Sequence, residues 1–344
     1  MSTTTNPGAP PDFRTLSAQV RAAGLFDRRL GYYAANITLT LGAFAAAWTA
    51  FFALGPSWWT LGVAALLGIA STQLGFLGHD AGHRQIFASR GANRLLGLLV
   101  GNAMIGLSFG WWVPKHNAHH AHPNEVGRDP DIGVGLLGTP SAYERPGGAR
   151  LAARWLARHQ AGLFFPLMLL RSTGLYLSGA HDLIRRRDRA AAVEGTVLGV
   201  HAGLYLAAVF WVLPPIEGIA FVVVHQAVFS LYLGCSFAPN HKGMPLVEGD
   251  HEMSFARHQV ITARNLSAGR WTTLVFGGLN FQIEHHLFPA MPRPNLARAR
   301  GPVRAFCAEN GLTYCEESAV ASFRQTIRHL RLAAAALDGR PMAP

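Results

Sequence analysis

The chain has 344 residues, of which 14% are charged and 50% apolar, and its 30 Lys and Arg against 19 Asp and Glu give a formal net charge of +11 with 16 His neutral. An average soluble protein carries about 25% charged residues with a similar apolar share, so the anomaly is a shortage of charge. These figures exclude a disordered acidic chain and a collagen-like one and argue against an ordinary soluble enzyme. The basic balance leaves nucleic acid or an anionic membrane surface as partners, and the placement of the charges decides between them.

Met1–Pro11 reads as a flexible tail, and with no apolar h-region in residues 1–30 a secretory leader is not expected. From Arg29 to Arg84 there is no Lys or Arg, and Asp80 is the only acid. Residues 31–54 form one apolar run, Gly55-Pro56-Ser57 interrupts it, and 58–78 form a second. Residues 95–113 are apolar and Gly-rich, and 161–179 are apolar but contain Arg171 and lead into Arg185, Arg186 and Arg187. Between Arg189 and Lys242 the basic residues vanish again; runs 193–213 and 216–238 flank Pro214-Pro215, with Glu194 and Glu217 the only acids. A ~30 Å hydrocarbon core takes about 20 apolar residues, so each basic-free gap predicts a transmembrane helical hairpin.

Neither hairpin turn contains Lys or Arg. With four spans every basic residue lies on the opposite side, and the positive-inside bias places both termini, the middle segment and the C-terminal segment in the cytoplasm. Trp48, Trp58, Trp59 and Trp211 stand towards the turns, as interface aromatics do. Runs 95–113 and 161–179 read as interfacial or buried against the hairpins; the alternative is one extra hairpin. Residues 318–337 suit an amphipathic helix, with Phe323, Ile327, Leu330 and Leu332 apolar and Arg324, Arg328 and Arg331 basic, resting on protein or lipid headgroups. Cys235, Cys307 and Cys315 lack disulfide or metal spacing and read as small apolar filler. The expectation is an all-α membrane protein: four transmembrane helices in two hairpins with a cytoplasmic helical cap. It divides into a tail (1–30), a main domain (31–296) and a basic C-terminal segment (297–344). The hairpins exclude a nucleic-acid binder.

Three His clusters fall just outside these spans. His79 and His83 are i and i+4; His116, His119 and His120 are i, i+3 and i+4; Gln282, His285 and His286 repeat that spacing. On a helix such positions share one face, about 5–6 Å apart between Cβ atoms, which lets neighbouring imidazoles grip one metal or two adjacent ones. Imidazole sites suit Zn, Cu, Fe and Ni, and more ligands than one ion can hold argue for two metals.

The residues Gly78-His79-Asp80-Ala81-Gly82-His83, Trp112-Val113-Pro114-Lys115-His116-Asn117-Ala118-His119-His120-Ala121-His122-Pro123-Asn124, Asp129-Pro130-Asp131-Ile132, Phe237-Ala238-Pro239-Asn240-His241-Lys242-Gly243-Met244 and Asn280-Phe281-Gln282-Ile283-Glu284-His285-His286-Leu287-Phe288-Pro289 together carry a resemblance. The chain resembles the integral-membrane fatty acid desaturases, marked by three His boxes after paired spans, and the Gln-x-x-His-His third box is similar to the front-end and linoleoyl-CoA-type branch. The resemblance covers about residues 31–296, making that stretch a desaturase domain. It implies two irons, O2 as co-substrate and ligands His79, His83, His116, His119, His120, His285 and His286, with His241 as the eighth. Gln282 stands where many relatives have His; its amide either binds iron through oxygen or holds a ligand or water by hydrogen bond, the second being favoured. Asp80, Asn117, Asn124, Asp129, Asp131, Asn240 and Glu284 are candidates to orient the imidazoles, or else helix caps and solvent contacts.

Removing two hydrogens from adjacent methylenes needs an oxidant made from O2, which no side chain supplies. Beyond the metal centre no catalytic residue is assigned. The expected substrate is an acyl-CoA or a membrane acyl-lipid, with acyl-carrier protein left open. Arg150, Arg154, Arg158 and Arg185 to Arg187 are available for its polar head but serve equally as a topology signal. There is no Gly-rich flavin or nicotinamide loop and no Cys set for an iron–sulfur cluster, and Arg145-Pro146-Gly147-Gly148 lacks the His of a cytochrome b5 motif. A separate electron donor, a ferredoxin or an oxidoreductase, is therefore implied. Competing readings are a membrane di-iron hydroxylase or ketolase and, more distantly, a metal transporter or haem electron carrier, whose sites lie nearer mid-membrane. His122 at i+2 from His120 faces away; His201 and His225, within the third and fourth spans, are functional or packing residues; His159, His181, His251, His258 and His329 read as structural or solvated.

Overall fold

The computed structural model describes residues 13–132, 149–249, 253–267 and 269–336, without the side chains of 149–153. The tail Met1–Pro11, the Arg145–Gly148 string, His251 and the Arg150 side chain lie outside the described residues. In chain order the elements are α1 (Phe13–Ala22), α2 (Leu30–Leu54), α3 (Thr60–Gly82), α4 (Arg90–Leu98), a π-helical turn (Leu99–Met104), α5 (Phe109–Ala121), α6 (Ala149–His159), α7 (Phe164–Met168), α8 (Arg171–Arg186), α9 (Arg189–Val212) and α10 (Pro215–His241). There follow α11 (Phe255–Ile261), β1 (Asn265–Leu266), α12 (Arg270–Val275), α13 (Gln282–Leu287), α14 (Arg293–Glu309), β2 (Glu316–Glu317) and α15 (Ala319–Ala336). The all-α expectation holds: among the described residues the sheet is one short parallel pairing, Asn265 opposite Glu316 and Leu266 opposite Glu317.

Helices α2, α3, α9 and α10 are long and apolar enough to cross a membrane, as expected from the basic-free gaps. The first hairpin turns at Gly55, whose φ of 60° is open to glycine without penalty. The second turns at Pro214, with Pro215 at the first position of α10, where a missing N–H is harmless. Two spans outrun their apolar stretch. Helix α3 continues to Gly82 and α10 to His241, so His79 and His241 ride on the last turns of spanning helices.

The chain forms two compact units. The span unit comprises Arg28–Lys115 and Phe165–Cys235. Its interior joins Ala47, Phe51, Val63, Ala64 and Leu67 to Val209, Leu213 and Phe221. Apolar side chains also face outward: Trp211 is 90% and Ile216 74% exposed, a surface that suits lipid. Helices α3 and α10 approach so closely at Gly68 that an added Cβ would lie 2.9 Å from the His225 carbonyl oxygen and the Phe229 nitrogen. Two histidines within the spans are paired, as a medium without water favours. Both ring nitrogens of His225 are engaged, Nε2 with Ser71 Oγ at 3.2 Å and Nδ1 with Tyr205 OH at 2.9 Å, and His201 Nδ1 donates to the Ala103 carbonyl. This is the packing alternative for both histidines.

Neither doubtful run is a straight span. The first breaks between the π-helical turn and α5 with a bend of 116°. Glu194 of α9 holds that break, accepting from Asn102 Nδ2 at 3.0 Å, Ser108 Oγ at 2.7 Å, Gly110 N at 2.9 Å and Arg186 Nη2 at 3.0 Å. Phe109 N donates to Asn102 Oδ1 and Trp111 N to Ser108 Oγ, so the leading N–H groups of α5 are satisfied. The second run divides into α7 and α8, with Arg171 opening α8.

The box unit comprises the described residues within Met1–Asp27, His116–Phe164 and Ser236–Pro344. Its core gathers Leu16 and Val20 of α1, Val260 of α11, Ile283 and Leu287 of α13, and Leu296, Val303 and Phe306 of α14. Phe13 stacks on Phe288 with ring centroids 5.4 Å apart. Helix α15 packs on α6, so of the two surfaces expected for the C-terminal helix it meets protein.

Overpacking a tight contact costs about 1–3 kcal/mol. Gly68→Ala is expected to lower the thermal unfolding midpoint in detergent accordingly, whereas Gly62→Ala, whose new Cβ meets nothing within 4 Å, should leave the midpoint unchanged or slightly raised.

Candidate metal centre

The i, i+3, i+4 spacing does on α5 what helical geometry requires, placing His116, His119 and His120 on one face, all buried. The short helix α13 presents His285 and His286, each 1% exposed, and the end of α10 presents His241. Within the box unit the ligand nitrogens of His116, His120 and His285 lie within 4.8 Å of one another. Those of His119, His241 and His286 do so as well. The two trios adjoin: the His120 and His286 rings stack with centroids 4.3 Å apart.

The second trio shares one orientation rule. His119 Nδ1 lies 3.0 Å from both oxygens of Asp129, His241 Nδ1 donates to the Thr262 carbonyl at 3.0 Å, and His286 Nδ1 donates to Gln259 Oε1 at 2.9 Å. A proton held on Nδ1 leaves the Nε2 lone pair for another partner, which is how metal-binding imidazoles are set. Asp129 is itself fixed by donation from Asn124 N and Asp131 N, both at 2.8 Å. Asn124, at a φ of 56°, donates through Nδ2 to the carbonyls of His241 and Pro245, tying the loop after α5 to the end of α10.

Gln282 occupies a defined place in this trio. Its Nε2 donates to His241 Nε2 at 2.9 Å, and its Oε1 accepts from Asn240 Nδ2 at 3.1 Å. Glu284, fully buried, turns to the scaffold: it accepts from Asn265 Nδ2 and Tyr314 OH, both at 2.7 Å. Burial pushes its carboxyl above the usual range against the lowering effect of those two donors. Asn117 is exposed, and His122 pairs with Glu125 at 2.8 Å as its outward register suggests. Asp131 Oδ2 stands 3.9 Å from His119 Nδ1, beyond hydrogen-bond range.

In the span unit, His79 and His83 close α3 with ring centroids 4.7 Å apart, both buried. Asp80 Oδ1 lies 3.4 Å from His79 Nδ1, and its Oδ2 accepts from Tyr33 OH at 3.1 Å.

Sequence reasoning missed α11 and the turn after it. Gln259, fully buried, donates through Nε2 to the His120 carbonyl at 3.1 Å while its Oε1 holds His286, joining the second His box to the third. His258 donates to the Pro123 carbonyl at 2.8 Å, which makes it a structural residue, one of the two roles expected for it. A fully buried amide in a segment otherwise rich in polar residues was the available signal, but burial is invisible in one sequence.

Four spanning helices and buried imidazole trios define a membrane protein able to hold metal. Comparison with known proteins agrees. Residues 56–318 match the family described as fatty acid desaturase. The chain is 30% identical to the Delta(8)-fatty-acid desaturase of Helianthus annuus over 94% of its own length and 73% of that protein. It is 32% identical to the Delta(5) fatty acid desaturase fat-4 of Caenorhabditis elegans over 93% and 73%. It is 30% identical to the acyl-lipid (9-3)-desaturase of Physcomitrium patens over 93% and 62%. The chain belongs to the fatty acid desaturase family, and it is an oxidoreductase of that kind.

Loss of a partner that orients a ligand imidazole typically weakens metal binding 10- to 100-fold. Gln259→Leu is expected to do so here, measured as metal retained against a competing chelator, while helix content by circular dichroism stays native.

Proposed function

We propose that the protein is a membrane fatty acyl desaturase with two His-ligated irons. It takes an acyl chain, O2, two electrons and two protons to an acyl chain with one new double bond and two waters. The observation that supports this most is the pair of buried imidazole trios, His116, His120, His285 and His119, His241, His286. The donor set fits iron: six neutral nitrogen ligands, three with Nδ1 already committed to oxygen acceptors. His79 and His83 complete the proposed ligands on the strength of the family's first box and their own shared burial at the end of α3. When bound, the irons supply the oxidising power from O2 that amino acid side chains lack.

The chain's own residues do the rest. Asp129, the Thr262 carbonyl and Gln259 hold the protons of three imidazoles away from the ligand face. Gln282, held through its carbonyl by Asn240, is a neighbour of His241 rather than a ligand. The substrate is an acyl chain esterified to CoA or to a membrane lipid; the moss relative's name specifies an acyl-lipid. A separate redox protein, a ferredoxin or an oxidoreductase, delivers the electrons. The side with the basic residues, including both termini and the boxes, is cytoplasmic by the positive-inside bias.

Expression in a host with a simple fatty-acid profile, followed by methyl ester analysis with double-bond location, tests the activity. A new unsaturated species is expected, whereas a hydroxylated or keto product sinks the assignment. His119→Ala and His285→Ala should insert normally and abolish the product, and near-native product from either removes the metal centre assigned here. Purified active protein should hold about two irons per chain by ligand number; active protein containing zinc alone contradicts the assignment.

A further inference from the structure

The C-terminal turn of α10 carries His241, and a helix end leaves carbonyls without partners inside the helix. Here a buried cation supplies them. Arg264, fully buried, lies just after α11. Its Nε donates to the Pro239 carbonyl at 3.0 Å and its Nη2 to the carbonyls of Pro239 and Lys242, the latter at 2.9 Å. Its main-chain N–H donates to the Asn240 carbonyl at 2.9 Å. The residues on either side of His241 are thus gripped by one side chain and its backbone. A guanidinium suits the place on two counts: its fork offers several donors in fixed geometry, and a positive charge at a helix C-terminus meets the negative end of the dipole.

The grip extends into the C-terminal helix. Arg264 Nη1 donates to Gln325 Oε1, and Gln325 Nε2 donates in turn to Glu317 Oε1 of β2. Thr326 Oγ1 donates to the Lys242 carbonyl at 3.3 Å. Gly243, at a φ of 87°, turns the chain away where an added Cβ would lie 3.2 Å from the Gln325 carbonyl oxygen. A buried guanidinium set among carbonyls and one amide is expensive to leave unsatisfied, so the latch either forms completely or is strongly destabilising.

We infer that Arg264, backed by Gln325 and Thr326 of α15, is a positioning residue for His241. It fixes the last turn of α10 so that the imidazole keeps Nδ1 on the Thr262 carbonyl and Nε2 on the ligand face. The inference rests on the reading of His241 as an iron ligand. It gives the C-terminal helix a part in the metal centre although none of its side chains is a proposed ligand.

The test uses full-length, iron-loaded protein in detergent, comparing native, Arg264→Met, Arg264→Lys, Gln325→Met and His241→Ala proteins. Iron per chain, the rate of iron release to a ferrous chelator and the Mössbauer spectrum are measured beside the thermal midpoint. Arg264→Met should release one of the two irons about tenfold faster or more and alter one quadrupole doublet, as His241→Ala does. Arg264→Lys should recover part of the native behaviour, and Gln325→Met should shift both readouts in the same direction by a smaller amount. A lowered midpoint in Arg264→Met with native release and spectrum, beside an altered His241→Ala, overturns the inference and leaves the ligand assignment standing. If Arg264→Met does not fold, Gln325→Met decides, and native release there overturns the inference. A native spectrum and iron content in His241→Ala overturns the ligand assignment and this inference with it.

Discussion

A buried imidazole is ambiguous until one of its two nitrogens is assigned the proton, and the box unit depends on that assignment. His119, His241 and His286 come from three different helices, yet each gives Nδ1 to an oxygen: Asp129, the Thr262 carbonyl and Gln259. The three acceptors differ in charge and type, so the common feature is geometric, the proton on the far side of each ring. In a low-dielectric interior such hydrogen bonds are strong, and failing to make them is correspondingly costly. Much of the surrounding structure can be read as what holds the acceptors. Asn124 and Asp131 fix Asp129 through their backbones, α11 supplies Gln259, and the turn after it supplies Thr262.

The same logic governs buried charge. In a chain short of charged residues, four of the buried ones are used at the ends of elements that bear boxes. Glu194 receives the leading N–H of α5, where a negative charge meets the positive end of the dipole. Arg264 takes the carbonyls ending α10. Asp129 joins the loop after α5 to His119, and Glu284 pins α13 to Asn265 and Tyr314. Each charge has several hydrogen-bond partners, the condition under which burying an ion is tolerable. The helices that carry the His boxes are therefore fixed at their ends by polar contacts, where helix geometry leaves backbone groups unmet.

The spans and the registers of the boxes were legible because each is a one-dimensional pattern: a basic-free gap for a hairpin, an i, i+3, i+4 repeat for a helix face. The bend before α5 was not, because it depends on Glu194 meeting Gly110, 84 positions apart in sequence. Thr262 could not have been found at all, since its main-chain oxygen is the acceptor and any residue type offers one. Gln259 and Arg264 are ordinary polar residues in a short segment with no period, and only the packing around them makes them part of the centre. Glu284, beside two ligand candidates, looked like an imidazole partner from its position, but a residue preceding a ligand pair on a short helix points elsewhere, here to Asn265 and Tyr314.

Gln282 shows what an amide does in place of a third imidazole. Its N–H points at His241 Nε2, the nitrogen whose lone pair is left over once Nδ1 has given its proton to Thr262. A lone pair serves one partner at a time, so an iron bound at this nitrogen would displace the Gln282 N–H from it, with His241 the ligand and Gln282 its neighbour. The amide carbonyl is meanwhile taken by Asn240, which sits beside His241 on α10. Turning the amide over to offer oxygen towards the ligand face would set Gln282 Nε2 against Asn240 Nδ2, two donors with no acceptor between them. Asn240 cannot simply follow, because its Nδ2 also faces the Leu279 carbonyl at 3.1 Å. Glutamine at this position is therefore coupled to Asn240, and the two amides together favour a supporting role for Gln282 over direct ligation.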